Sequence, residues 1–320
     1  MSADLEKLPV VVTAKVKLND LVTRFEFAHA DGKPLPPFSG GAHTVVEMRD
    51  GGVTRLNPYS LMSDPMDPTQ YAISVRRDAA GRGGSVFLHD KVQVGDRLVL
   101  GTPVNLFALD LTARKHLMIA GGIGITPFVA QIKQLQTTGG AFELHYSARS
   151  QALASYADEL RAAHPARVNL YLDDQNQQIP LERLLSGQPP GTHVYVCGPR
   201  GMIDWVLATA ERLGWPPEAV HSEEFLAPQS GKPFKVELAQ SGKTITVGEH
   251  ESLLEAMERE GVDAPYLCRG GACGQCETAV IAHDGTFQHH DHWLEDDERD
   301  GSKIMPCVSR FEGRRLVLDR

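Results

Sequence analysis

The sequence predicts a multidomain chain in which an all-β segment, a parallel α/β segment and a small cysteine-bearing α+β segment follow one another. Three observations predict it. Short β-rich runs separated by Gly, Pro and Asp turns fill residues 1–111. Strands and helical periods alternate over residues 112–226. Four of the five cysteines fall after Pro233.

In the first segment, Val10–Leu18, Thr23–Ala28, His43–Met48, Tyr71–Arg76 and Arg97–Leu100 read as strands. Turns such as Pro36-Pro37 and Asp50-Gly51-Gly52 divide them, which fits a small barrel or sandwich. In the second segment, the apolar run His116–Ala120 enters Gly121-Gly122-Ile123-Gly124-Ile125-Thr126-Pro127 and then a helical period through Leu135. A strand at Phe142–Ser147, a helix at Leu153–Ala163, strands at Val168–Leu172 and His193–Cys197 and a helix at Arg200–Leu213 follow. Residues 227–232 read as a Pro/Gly/Ser linker. Beyond it, Phe234–Leu238 and Thr244–Val247 form a hairpin pattern and Ser252–Glu260 a helix.

The formal net charge is −9. Residues 233–320 hold 17 acidic and 10 basic side chains, so most of the acidity lies there. This argues against nucleic acid and for a cationic partner surface. No apolar run is long enough to span a membrane. The segment Met1–Glu6 carries acid where a signal peptide would carry Lys or Arg, so a cytoplasmic location is expected.

Cys268, Cys273 and Cys276 share one loop, and Cys307 follows after 30 residues. That is the plant-type spacing for a 2Fe–2S cluster, whose two irons take two thiolates each. Zinc sites usually show two separate knuckles instead. The small residues of Arg269-Gly270-Gly271-Ala272 let backbone N–H groups turn toward the sulfurs.

Gly121, Gly122 and Gly124 let a diphosphate approach the backbone at a helix start, with Thr126 read as the N-cap and Pro127 as the first helical residue. No Gly-Lys-Ser/Thr follows, which excludes a Walker A loop. Cys197-Gly198-Pro199 ends a later strand of the same sheet, at the edge where open α/β sheets bind ligands.

With these motifs in this order, nearly the whole chain resembles the phthalate dioxygenase reductase family, flavin–NAD–ferredoxin proteins that feed Rieske oxygenases. The resemblance implies an antiparallel β-barrel flavin domain (1–111), a parallel α/β NAD-binding domain (112–226) and a plant-type ferredoxin β-grasp domain (233–320). It implies FMN, NADH and a 2Fe–2S cluster as cofactors, and a monomer docking transiently with a Rieske-type terminal oxygenase. A carnitine-type or a diiron monooxygenase partner is the alternative. Asn57-Pro58-Tyr59-Ser60 resembles the family's flavin motif, with Tyr59 on the ring and Ser60 near N5. Asn57 stands where the family carries Arg, so Arg55, Arg76 or Arg82 is expected to supply the charge for the flavin phosphate. Ser74-Val75-Arg76 resembles the next flavin strand, and Gly81-Arg82-Gly83-Gly84-Ser85 the phosphate loop. Ser147, Arg149 and Asp173 are expected at the dinucleotide, with Asp173-Asp174 disfavouring a 2′-phosphate. Ser60, Cys197, Glu223 and Phe225 are expected around the reacting flavin–nicotinamide pair, Phe225 in an edge strand covering the ring. Hydride would pass to the flavin, and electrons then singly to the cluster. His289-His290-Asp291-His292 reads as a solvated polar loop.

Overall fold

The computed structural model describes residues 7–67 and 69–320. The Met1–Glu6 reading lies outside them. The first sheet contains β1 (Lys7–Lys17), β2 (Val22–His29), β3 (Ala42–Asp50), β4 (Val53–Ser60) and β5 (Tyr71–Arg76). After the helix α1 (Gly84–Asp90), β6 (Arg97–Gly101) and β7 (Val104–Asn105) complete it. The order is β4-β3-β6-β1-β2-β5, with β7 on β3, and every pairing is antiparallel. Alternate side chains of β1 and β2, such as Val10, Val12, Phe25 and Phe27, point into one apolar core.

The second sheet is fully parallel. It is built from β8 (Lys115–Gly121), α2 (Thr126–Thr138), β9 (Phe142–Ala148), α3 (Ala157–Ala163), β10 (Val168–Leu172), α4 (Leu181–Ser186), β11 (Thr192–Cys197), α5 (Arg200–Arg212) and β12 (Val220–Glu223). The order β10-β9-β8-β11-β12 reverses direction at β8, so a crevice opens between the ends of β8 and β11. The third unit holds β13 (Phe234–Leu238), β14 (Lys243–Val247), α6 (Leu253–Arg259), β15 (Thr278–His283), β16 (Thr286–Gln288), β17 (Lys303–Ile304), β18 (Arg310–Glu312) and β19 (Leu316–Leu318). Its main sheet runs β14-β13-β19-β15-β17, with β13 and β19 parallel.

Four expectations need correction. β4 was not foreseen, although it carries the Asn57–Ser60 motif; Pro58 inside it masks the strand pattern. Thr126 is not the N-cap. A 3-10 turn over Gly122–Ile125 runs straight into α2, and the Thr126 hydroxyl donates back to the Ile123 carbonyl at 3.0 Å. The helix expected from Leu153 begins only at Ala157, because Tyr156 sits at φ 67° with its hydroxyl 2.6 Å from Ser74 Oγ on β5. The linker is not a loose tether. The buried Arg310 guanidinium donates to the carbonyls of Gly231 and Lys232, both at 3.1 Å, and to Glu251 O at 2.8 Å.

The first two sheets are joined closely. Gly40 lies so near α2 that a Cβ there would sit 2.6 Å from the Gln131 Cα. Gln131 donates to Phe107 O at 2.7 Å, and Gln134 Oε1 accepts from the Gly40 N–H at 2.6 Å. Among the described residues, no helix is long and apolar enough to cross a membrane.

Candidate functional site

Tyr59 and Ser60 on β4 and Ser74 and Arg76 on β5 line one cavity of about 360 Å³, closed on the far side by Phe225 and Leu226. Register places Ser60 opposite His43 and Asn57 opposite Val46. Burial pushes the Tyr59 phenol up to about 12, so it stays neutral. Val75 is in the core and lines none of the cavities described; it pairs with Thr23 of β2, and its carbonyl meets His89 Nε2 at 2.8 Å.

The loop after β5 supplies Gly81, Gly84 and Ser85 to the same cavity. Gly83 sits at φ 91°, and Gly84 packs so tightly that a Cβ would lie 2.5 Å from Asn57 Nδ2. The Ser85 hydroxyl closes its own loop by accepting from the Asp78 N–H at 2.9 Å. The three arginines expected to replace the missing motif Arg fare differently. Arg76 lines the cavity with an exposed side chain. Arg55 lies beneath Gly83, with its buried Nε unpartnered. Arg82 is committed elsewhere: it is almost fully buried, and its Nη1 donates to Glu255 Oε2 at 2.6 Å and its Nη2 to Asn57 Oδ1 at 3.0 Å. Glu255 also accepts from the Leu56 N–H at 3.0 Å. It simultaneously completes a capping box with Ser252 at the start of α6. A residue of the third unit thus braces both the motif strand and the glycine loop. An orphaned guanidinium nitrogen, a free arginine and a cradle without room for Cβ atoms fit a flavin phosphate.

A second cavity of about 380 Å³ follows the crevice between β8 and β11 and is lined by Gly121, Gly122, Gly124, Ser147, Arg149 and Asp173, with Gly198 and Pro199 opposite. Gly124 meets the neighbouring strand end, where a Cβ would fall 2.2 Å from Cys197 O. Cys197 is fully buried in the sheet core and lines none of the cavities described; burial pushes its thiol pKa well up, with Glu223 and Glu224 near enough to add to the shift. Ser147 Oγ lies 3.5 Å from Asp173 Oδ1, so these two share one edge of the cleft.

The third cavity, about 500 Å³, sits where the three units meet. Tyr59, Ser60 and His43 form one wall, Glu223, Glu224 and Phe225 another, and Cys268, Gly270 and Ala272 a third. Phe225 borders all three cavities with its side chain 45% exposed. It lies beyond the end of β12 rather than in an edge strand. Glu223 Oε2 has no partner, and burial raises this carboxyl to about 8. His43, which the sequence reading missed, is buried with Nε2 unpartnered, and burial lowers it to about 4. Both groups are therefore neutral near pH 7.

The cysteine loop follows α6. Arg269, Gly271 and Gly274 adopt positive φ of 53°, 72° and 72°, which curls the chain around the thiols. Arg269 is held there by Glu258 and by stacking 3.8 Å from the Tyr266 ring centroid. The thiols fall into two neighbouring pairs, Cys268 with Cys273 and Cys276 with Cys307. The Cys273 thiol and the amides of Gly270, Ala272 and Cys273 lower the Cys268 thiol well below its ordinary value. The Gly270 N–H reaches Cys268 Sγ at 3.3 Å. Two thiol pairs with inward amides fit a two-iron cluster. The polar loop after β16 is solvated at His292 and half-buried at His289 and His290, whereas Asp291 is buried and accepts from Ser309 Oγ at 3.1 Å, and His292 reaches the nucleotide-binding unit.

The comparisons agree with this layout. Residues 103–220 match the family described as dimethylamine monooxygenase subunit DmmA-like, N-terminal domain, and residues 236–312 match the 2Fe-2S iron-sulfur cluster binding domain. The carnitine monooxygenase reductase subunit of Acinetobacter baumannii is 43% identical over 100% of both chains. The heme-dependent oxidative N-demethylase beta subunit of Ectopseudomonas mendocina is 46% identical, with 98% of each chain covered. The phthalate 4,5-dioxygenase reductase subunit of Pseudomonas putida is 39% identical over 96% of this chain and 95% of its own. Among solved structures, phthalate dioxygenase reductase superposes with a TM-score of 0.90 at 34% identity over 98% of both chains.

Proposed function

The chain belongs to the phthalate dioxygenase reductase family, and from that premise we propose that it passes electrons from NADH through FMN and a 2Fe–2S cluster to a terminal oxygenase. One observation carries the reading. The motif residues Tyr59 and Ser60, the strand-end residues Glu223 and Phe225, and the cluster-loop residue Cys268 wall a single cavity. When bound, FMN accepts a two-electron hydride and the 2Fe–2S cluster carries one electron at a time.

The chain's own residues have distinct tasks in this reading. Tyr59 packs on the flavin ring and Ser60 lies near its reactive edge. Ser74, Arg76, Arg55 and the Gly81–Ser85 loop hold the phosphate end. The Gly121–Thr126 turn and the Gly198-Pro199 backbone hold the dinucleotide diphosphate. Ser147, Arg149 and Asp173 meet the adenosine side, where the Asp173 carboxylate opposes a 2′-phosphate and favours NADH. Phe225 occupies the space the nicotinamide must reach, so it swings aside when nucleotide binds. Glu223 keeps a proton at its carboxyl near pH 7 and so adds no negative charge beside the ring. Cys268, Cys273, Cys276 and Cys307 ligate the cluster.

The cluster loop has two sides. Cys268 is buried toward the central cavity, whereas Cys273 is partly exposed. Beside Cys273 the Trp293 ring lies over Gly274, 45% exposed, with its Nε1–H donating to Glu277 at 2.8 Å. The neighbouring Glu295, Asp296, Asp297 and Glu298 make this side acidic. It suits brief, salt-sensitive docking of a cationic oxygenase surface in the cytoplasm. A Rieske-type oxygenase is the first reading of the partner. The 46% identity to the heme-dependent N-demethylase subunit supports a heme-type oxygenase as the second. Offering the NADH-reduced protein to one purified oxygenase of each type, and following acceptor reduction, separates them.

The functional test uses Cys273→Ala. It is expected to abolish NADH-driven cytochrome c reduction while sparing reduction of a two-electron dye. Loss of both activities in a folded variant would refute the proposed order of transfer.

A further inference from the structure

Three side chains meet at the boundary between the nucleotide cleft and the central cavity. Arg200 is the first residue of α5, immediately after Pro199. Its Nη1 donates to His292 Nδ1 at 2.7 Å. Glu224, which lines both cavities, places Oε2 2.6 Å from His292 Nε2 and 3.5 Å from Arg200 Nη1. His292 belongs to the ferredoxin unit, and its backbone N–H donates to Gly271 O at 3.0 Å. Gly271 lies between Cys268 and Cys273, packed so closely that a Cβ there would sit 3.1 Å from the Asp291 Cα.

A continuous set of contacts therefore runs from the nucleotide helix, through one imidazole, to the loop that carries Cys268, Cys273 and Cys276. We propose that His292 is a positioning residue that fixes the cluster loop against the nucleotide-binding unit and so sets the geometry of electron transfer from flavin to cluster. The inference rests on the function proposed above.

The reasoning is geometric. Domains joined by a short linker move relative to one another unless their interface restrains them. Arg82 and the Leu56 N–H on Glu255, with Arg82 also on His250 O at 3.2 Å, restrain the ferredoxin unit at α6 and the turn before it, and restraints at one edge still permit pivoting. His292 adds a restraint on the cluster loop itself. One ring nitrogen accepts from Arg200 and the other faces the Glu224 carboxylate at 2.6 Å. Arg200 is itself held by Asp204 at 2.8 Å. Partly exposed polar contacts of this kind contribute little to stability. Its removal should leave the protein folded and the Glu255 contact intact while letting the loop drift.

The test compares His292→Ala and His292→Gln in the holoenzyme by anaerobic stopped flow with NADH. Flavin bleaching is expected at the unmutated rate in both. Cluster reduction, followed by freeze-quench EPR, is expected to slow by about tenfold or more in His292→Ala, as small misplacements of reacting groups do. The cluster EPR line shape should not change. Glutamine offers one acceptor and one donor on a side chain of comparable reach, so His292→Gln is expected to restore the rate. Amide hydrogen exchange over residues 268–276, measured without NADH, should quicken in His292→Ala alone. Unmutated cluster reduction together with unmutated exchange in His292→Ala would overturn the proposal. Failure of NADH to bleach the flavin of the unmutated protein would instead refute the function, while the exchange comparison would still decide the role of His292.

Discussion

The chain contains two glycine-rich turns that the proposed function assigns to phosphate groups, and they are held in different ways. The turn Gly121–Gly124 is braced from within its own unit: Gly124 rests on the Cys197 carbonyl at the end of β11, and Gly121 on the side chains of Pro199 and of Met202 in α5. The turn Gly81–Ser85 is braced by side chains from far away in sequence. Arg82 reaches Asn57 on β4 and Glu255 on α6, 173 positions later. The first loop is a property of its own sheet. The second is shared with the ferredoxin unit through the Arg82–Glu255 ion pair.

The largest effect that would break this contrast is at Arg82. Arg82→Ala strands the buried Glu255 carboxylate and is expected to cost about 3–5 kcal/mol of stability, with weaker FMN retention. Replacing both partners by methionine should cost less than the single change, because no buried charge is then left alone. Denaturant unfolding and FMN titration of the singles and the double measure both points. Equal costs for the single and double variants would show that the pair braces nothing.

A smaller effect is expected at the Gly121–Gly124 turn. Gly124→Ala drives a methyl into the Cys197 carbonyl and should destabilise by about 2–3 kcal/mol while nearly abolishing NADH binding. Ile123 and Thr126 of the same turn line the cavity that Gly81, Gly84 and Ser85 line, so FMN retention should weaken too, but less than in Arg82→Ala. Unchanged FMN retention in a folded Gly124→Ala protein would show that the two turns act separately.

The smallest expected effect concerns pH. Burial raises Glu223 from 4.5 to about 8. The folded protein therefore holds a proton that the unfolded chain releases at lower pH. Stability from this group is fully present below about 4.5, declines as pH rises, and is lost above about 8. Ionisation also places charge beside the flavin, so the NADH-to-flavin rate should fall as pH rises through about 8. Glu223→Gln is expected to flatten that limb in stopped-flow profiles and to steady the melting temperature across the same window.

What could be read along the chain differed between the two glycine turns for the same reason. Gly121–Thr126 and Cys197-Gly198-Pro199 are contiguous motifs at strand ends, and parallel pairing of β8 with β11 brings them together without further instruction. The four cysteines were legible because cluster ligation demands one residue type at near-fixed spacing. The flavin side was harder. β4 is interrupted by Pro58, Ser85 closes its own loop, and Val75 points into the core. Cys197 is fully buried at its strand end, a depth its position in the motif did not reveal. The capping box Ser252-x-x-Glu255 marks a helix start in sequence, yet nothing local indicates that the same carboxylate holds Arg82.

The sequence by itself determined the order of the three units, the cysteine spacing and the glycine turn after β8, because each depends on local residue type, spacing or period. Only the tertiary structure decided that Arg82 is committed to Glu255 while Arg76 lines the cavity, and that His292 and Glu255 reach into neighbouring units. Those are long-range choices among side chains of similar chemistry. They depend on which buried charge finds a partner within hydrogen-bonding distance once the three units pack together.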